Sequence, residues 1–185
     1  MANRIYNYSA FYVAEPFSSS NLKAYAAPDF IYYNMLKAWK ANDSTFPFYD
    51  AHTTTYSVRD GSDWESTLKP RLHQRLSNSK NIILFLSSNT KHSRALNEEM
   101  DYGIGVLKLP VIVVYAEYTD KTDVAENGRI KRHLRMLWDN LPRFRDQMDD
   151  VPTIHVPLSK ILISKALRDP DLTVQHKNEN GRWFY

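Results

Sequence analysis

The stretch NIILFLSSNTKHSRALNEEMDYGIGVLKLPVIVVY, residues 81–115, decides the fold. It is bounded by two continuous apolar runs, Ile82–Leu86 and Val111–Tyr115. Each is too short for a helix, and strands buried beneath helices on both faces of a parallel sheet read this way. Between them lies a polar turn, Ser87-Ser88-Asn89-Thr90, and then a segment with helical spacing of about four turns. Strand, loop, helix and second strand make one βαβ unit. Ligands of open α/β sheets sit outside the carboxyl ends of the strands. The turn after Leu86, with Glu98 and Glu99 in the helix that follows, is therefore the first place to look for chemistry.

The helix pattern separates the two glutamates. Leu96, Met100, Gly103, Ile104 and Leu107 define the face that packs on the sheet. Glu98 falls nearly opposite that face and is expected in water. Glu99 falls at its border, where a carboxylate is partly shielded and stays near the strand ends. Both also suit the positive end of a helix dipole, which needs no function.

The rest of the chain alternates in the same way. Arg4–Tyr8 reads as a first strand ending in Asn7-Tyr8-Ser9-Ala10, followed by a loop over about 11–28. Pro28 opens a helix that carries Phe30, Met35, Leu36 and Trp39. Phe46–Tyr49 reads as the second strand, with Asp50-Ala51-His52 at its carboxyl end. Ser62-Asp63-Trp64-Glu65 has the capping-box pattern of a helix start, and Pro70 predicts a kink or restart. Later elements are a basic helix over about 129–140, a short strand Thr153–Val156 and a closing helix Leu158–Leu167. The expected architecture is α/β: a flavodoxin-like, three-layer domain over residues 1–168 with a five-stranded parallel sheet, then a tail at 169–185.

Composition narrows the function classes. The chain has 185 residues, 43% hydrophobic and 24% charged, as in ordinary globular domains. It has no cysteine, which excludes disulfides, thiolate catalysis and Cys-ligated zinc. No apolar run is long enough to span a bilayer and the first residues lack a secretory core, so a cytoplasmic location without membrane contact is expected. The net charge is +3. Its densest cluster, Arg129, Lys131, Arg132, His133 and Arg135 with Arg143 and Arg145, is broken or followed by Asp139, Asp146, Asp149 and Asp150. That reads as a solvated helix face, and nucleic acid is not the expected partner.

Common nucleotide motifs are absent. There is no phosphate-binding P-loop and no Gly-rich dinucleotide turn; Gly103 and Gly105 fall inside a helix and favour close packing. The six histidines show no metal-ligand spacing, and no metal site is expected. Ser87 and Ser88 lack a nucleophile elbow. What remains is a set of polar residues expected at the carboxyl edge: Asn7, Tyr8, Ser9, Asp50, His52, Ser87, Ser88, Asn89 and Glu99. Any one of them also serves as an ordinary turn or cap residue. Together, hydroxyls, an amide and a carboxylate suit a sugar with vicinal hydroxyls better than a metal.

The order of elements resembles that of TIR domains, especially the TIR-like proteins of bacterial Thoeris anti-phage defence. IYNYSAFY is similar to the family's opening aromatic-and-serine box, and FPFYDAH with the later DGSDW resembles its second strand and variable loop. FLSSNTKHSRALNEEM resembles the Ser-rich third strand leading to a helix with one glutamate, spaced as Glu99 with Met100 after it. The resemblance implies NAD as substrate, with no separate cofactor, and Glu99 as the catalytic carboxylate acting on the nicotinamide ribose. It implies cleavage of the nicotinamide–ribose bond and an ADP-ribose-derived signal nucleotide, cyclic or conjugated, passed to a separate effector protein. A phage-protein trigger and self-association belong to the same expectation. Two other classes stay open: a non-catalytic TIR adaptor acting through its surfaces, and a nucleoside deoxyribosyltransferase-like enzyme, which also places a glutamate on ribose.

Overall fold

The computed structural model describes residues 8–13, 29–51, 63–90, 94–176 and 179–185. The two apolar runs form adjacent central strands, β2 (Ser79–Leu86) and β3 (Val111–Tyr115), paired in parallel with Leu84 opposite Val113. Strand β1 (Tyr8–Val13) pairs parallel to β2 on its outer side. Beyond β3 lie β6 (Pro152–Pro157) and then β7 (Gly181–Phe184), also parallel. The sheet is thus five-stranded in the order β1-β2-β3-β6-β7. It is the flavodoxin-like parallel sheet that alternation predicts.

Two apolar cores flank it, because successive residues of a buried strand point to opposite faces. Ile82, Leu84 and Leu86 share one core with Val111, Val113 and Tyr115, covered by α2 (Lys69–Ser77), α3 (Arg94–Met100), α5 (Arg132–Trp138) and α6 (Pro142–Gln147). Ile83, Phe85, Ile112 and Val114 form the other, under α1 (Asp29–Asn42) and α7 (Lys160–Arg168). Helix α4 (Lys121–Val124) and a hairpin of β4 (Ala125–Glu126) and β5 (Arg129–Ile130) connect β3 to α5.

Several boundaries differ from the sequence reading. Strand β1 runs on from Tyr8 to Val13 rather than ending at Tyr8, so it extends into the segment expected as loop. Among the described residues the expected second strand, Phe46–Tyr49, makes no ladder; Asp50 bridges Ser9, and the Ser9 N–H donates to the Tyr49 carbonyl. Pro47 lies in the middle of that segment and has no N–H to donate. The fifth strand comes instead from the expected tail. Within β7, Arg182 makes a paired contact with Asp149, Nε and Nη2 each 2.6 Å from a carboxylate oxygen. The basic helix is shorter than expected, since Arg129 and Ile130 belong to the hairpin.

Local signals otherwise hold. Asp63 caps the first turn by accepting from the Ser66 N–H, and Ser62 lies outside the described residues. The chain winds as a π turn over Trp64–Leu68 and restarts as α2 with Pro70 in its first turn. Helix α3 continues as a wider π-helix over Asp101–Val106. Gly103 there meets the sheet so closely that a Cβ would stand 2.7 Å from Ile82 Cδ1.

Candidate active site

Helix α3 follows the turn at the carboxyl end of β2, so its first turns start at the edge where ligands of such sheets bind. Glu99 lies one and a half turns in, and it is only 6% exposed. It is the only carboxylate among the described residues that is buried. The helical wheel placed it at a shielded border, but α2 packs along the flank of α3 and completes the covering. Nη2 of Arg75, on α2, donates to Glu99 Oε1 at 3.0 Å. Burial pushes the Glu99 carboxyl up to about 8, even though the Arg75 charge and hydrogen bond pull the other way.

Glu98 is not in free water, as spacing suggested. It is half-buried against the same helix, 2.8 Å from His73 Nε2 and 3.2 Å from Lys69 Nζ. Desolvation raises its pKa, but the bonds from His73 and Lys69 outweigh that and hold it below the ordinary glutamate value. The His73 ring stacks on Tyr102, centroids 3.6 Å apart. Lys69 and His73 are four residues apart on α2, and Leu72 and Leu76 repeat that spacing on its buried stripe. Such a charged border beside an apolar stripe was the available signal for these partners. The notable residues that sequence reasoning missed are Arg75, Lys69 and His73.

The turn after β2 is as expected. The Ser87 N–H donates to Thr90 Oγ1 at 2.9 Å, and Ser87 Oγ accepts from the Asn89 N–H at 3.2 Å. Ser87 is buried, whereas Ser88 and Asn89 are exposed. The Ser88 hydroxyl donates to Glu117, an exposed carboxylate just past β3 that sequence reasoning passed over. Ser87, Ser88, Asn89 and Glu117 thus share the carboxyl edge.

Tyr8, Ser9 and Asp50 do not join them. Ser9 stands opposite Asn81, six residues before Ser87, or about 20 Å along the strand at roughly 3.3 Å per residue. The expected convergence of three strand ends fails because β1 runs on past Tyr8 and Ser9 to Val13, which stands opposite Phe85. Asp50 accepts a hydrogen bond from the Tyr33 hydroxyl. Burial and that carboxylate together push the Tyr33 phenol above its ordinary value. Asn7 and His52 lie outside the described residues.

Residues 8–121, more than half of the chain, match the family described as Thoeris protein ThsB, TIR-like domain. The chain belongs to that family. The match covers β1, α1, α2, β2, α3 and β3, and so includes Arg75, the Ser87–Asn89 turn and both glutamates. It makes this a TIR-like protein of the Thoeris defence type. No described helix of the TIR-like chain is long and apolar enough to cross a membrane. A cleft of about 360 Å³ lies elsewhere, lined by Ile154, Leu172, Trp183 and Tyr185 with Asp169 and Asp171. Asp169 there is already engaged by the Tyr185 hydroxyl at 3.1 Å, and no candidate from the sequence lines the cleft. Chemistry is better sought at Glu99.

Proposed function

We propose that this TIR-like protein cleaves the nicotinamide–ribose bond of NAD and turns the ADP-ribose into a signal nucleotide, cyclic or conjugated, read by a separate effector. The observation that carries the reading is Glu99, the one buried carboxylate among the described residues, in the helix after the central strand's polar turn and inside the residues matched to the family. Nicotinamide leaves NAD as a neutral base from a cationic pyridinium, so its departure needs no general acid. The ribose carbon becomes oxocarbenium-like, and an ionised carboxylate beside it stabilises that charge, as in glycosidases. Ser87, Ser88 and Asn89 supply hydroxyl and amide groups at the same edge for ribose hydroxyls. Tyr8, Ser9 and Asp50 are too far along the sheet to share that contact.

Two features suit a protein that rests at low activity. Glu99 is only 6% exposed, with Arg75 of α2 on its carboxylate, so substrate reaches it only when the site opens. Its raised pKa also leaves much of the carboxyl neutral near pH 7. A trigger that opens the site, such as a phage protein, fits both features. Mass spectrometry of nucleotides from cells expressing the chain, with and without phage, tests the reading. A new ADP-ribose derivative that requires both phage and Glu99 supports it. No nicotinamide release and no new nucleotide under either condition would leave the adaptor reading in its place.

A further inference from the structure

We infer that Arg75 is a positioning residue for Glu99: its guanidinium fixes the orientation of the carboxylate and keeps it ionisable in a buried site. The inference rests on the NAD reading above only for its consequence in catalysis. The contact stands on geometry. Nη2 of Arg75 lies 3.0 Å from Glu99 Oε1, and the two side chains are 15% and 8% exposed. They come from different helices, 24 residues apart in sequence. A carboxyl this deeply buried is driven to its neutral form by desolvation, and a neighbouring guanidinium opposes that. A neutral Glu99 has no charge with which to stabilise an oxocarbenium-like centre.

Several other described charged groups on α2, α3 and the π-helix after it are engaged elsewhere. On α2, Lys69 and His73 face Glu98. Beyond α3, Asp101 is held by Gln147 at 3.0 Å and Arg143 at 3.5 Å, both from α6. Tyr102 stacks on His73 and meets the Ser77 hydroxyl at 3.3 Å. Arg94, at the start of α3, pairs with Glu65. Among the described residues, Arg75 is the one cation placed on Glu99.

The test is a carbon-13 NMR titration of glutamate side-chain carboxyls in the full chain, with Glu99→Gln assigning the resonance. In the wild type, the Glu99 carboxyl titrates well above the other glutamates. Arg75→Met keeps much of the apolar stem, and it raises the Glu99 midpoint by at least about one pH unit. Arg75→Lys restores most of the wild-type midpoint and guards against a variant that fails to fold. Lys69→Gln, which removes a cation from Glu98, leaves the Glu99 midpoint in place. The inference is overturned if Arg75→Met leaves the Glu99 midpoint unmoved, or if wild-type Glu99 titrates with the exposed glutamates. The alkaline-rising limb of nicotinamide release follows the same shift in Arg75→Met, whereas a purely structural role lowers the rate without moving the limb. A shifted titration in a protein that releases no nicotinamide upholds the Arg75 contact and removes the NAD reading.

Discussion

At the scale of the residue, Glu99 and its partners show what a sequence conceals. Helical spacing put Glu99 at a shielded border and pointed Glu98 outward, treating the sheet as the only packing surface. Helix α2 supplies a second one, so Glu99 is fully buried and Glu98 is held by Lys69 and His73. The spacing of Lys69 and His73 marks a charged border on α2, but which glutamate it meets depends on how the two helices pack. The burial has a consequence for stability. Glu99 titrates at about 8 in the folded chain against 4.5 for an ordinary glutamate. The folded state therefore binds the extra proton between those values, and stability falls as pH rises from about 4.5 to 8. The size of the effect is on the order of a few kcal/mol. Urea unfolding across that range is expected to show a downward slope for the wild type and a flatter one for Glu99→Gln. Equal slopes would contradict the buried, proton-binding Glu99.

At the scale of the element, β2, α3 and β3 were legible because their apolar residues repeat at the period of the structure they form. Met100, Gly103 and Ile104 all lie buried on the predicted face. Gly103 is where that face comes closest to the sheet. Gly103→Ala would drive a methyl group into Ile82 Cδ1, in a core where Ile82 is fully buried. The expected cost is about 1–3 kcal/mol, read as a lower urea midpoint with native circular dichroism. A midpoint unchanged or raised would show that Ile82 yields freely. Strand ends were less legible than strands. Taken alone, the first run ends at Tyr8 and Phe46–Tyr49 reads as a paired strand. Pairing to β2 decides the first, and Pro47 together with the edge position decides the second.

At the scale of the whole molecule, the parallel sheet and its two cores followed from alternation, but the outer strand did not. Gly181–Phe184 has one glycine, one charge and two aromatics, and nothing in that run marks a strand. It becomes one by pairing with β6 and by the Arg182–Asp149 contact. Phe184 then lies against His155, a buried imidazole whose pKa desolvation pushes down to about 3. A chain shortened to end at His176 uncovers β6 and this ring. It is expected to unfold at lower urea and to aggregate through the freed strand edge; a midpoint equal to that of the full chain would show that β7 is ornamental. The polar turn at Ser87–Asn89 and the glutamate after it were readable from sequence. The distance of Tyr8 and Ser9 from them was not, because it depends on register. The proposed NAD-cleaving centre of the folded chain lies at Glu99. Its most direct test is nicotinamide released from NAD by the purified full chain, compared with Glu99→Gln and Glu98→Gln. Slow release is expected from the resting wild type, with most of it kept in Glu98→Gln. Glu99→Gln is expected to lose about 100–1000-fold, equivalent to about 3–4 kcal/mol in the barrier. Release by Glu99→Gln at the wild-type rate, or an equal loss in both variants, would contradict a catalytic Glu99.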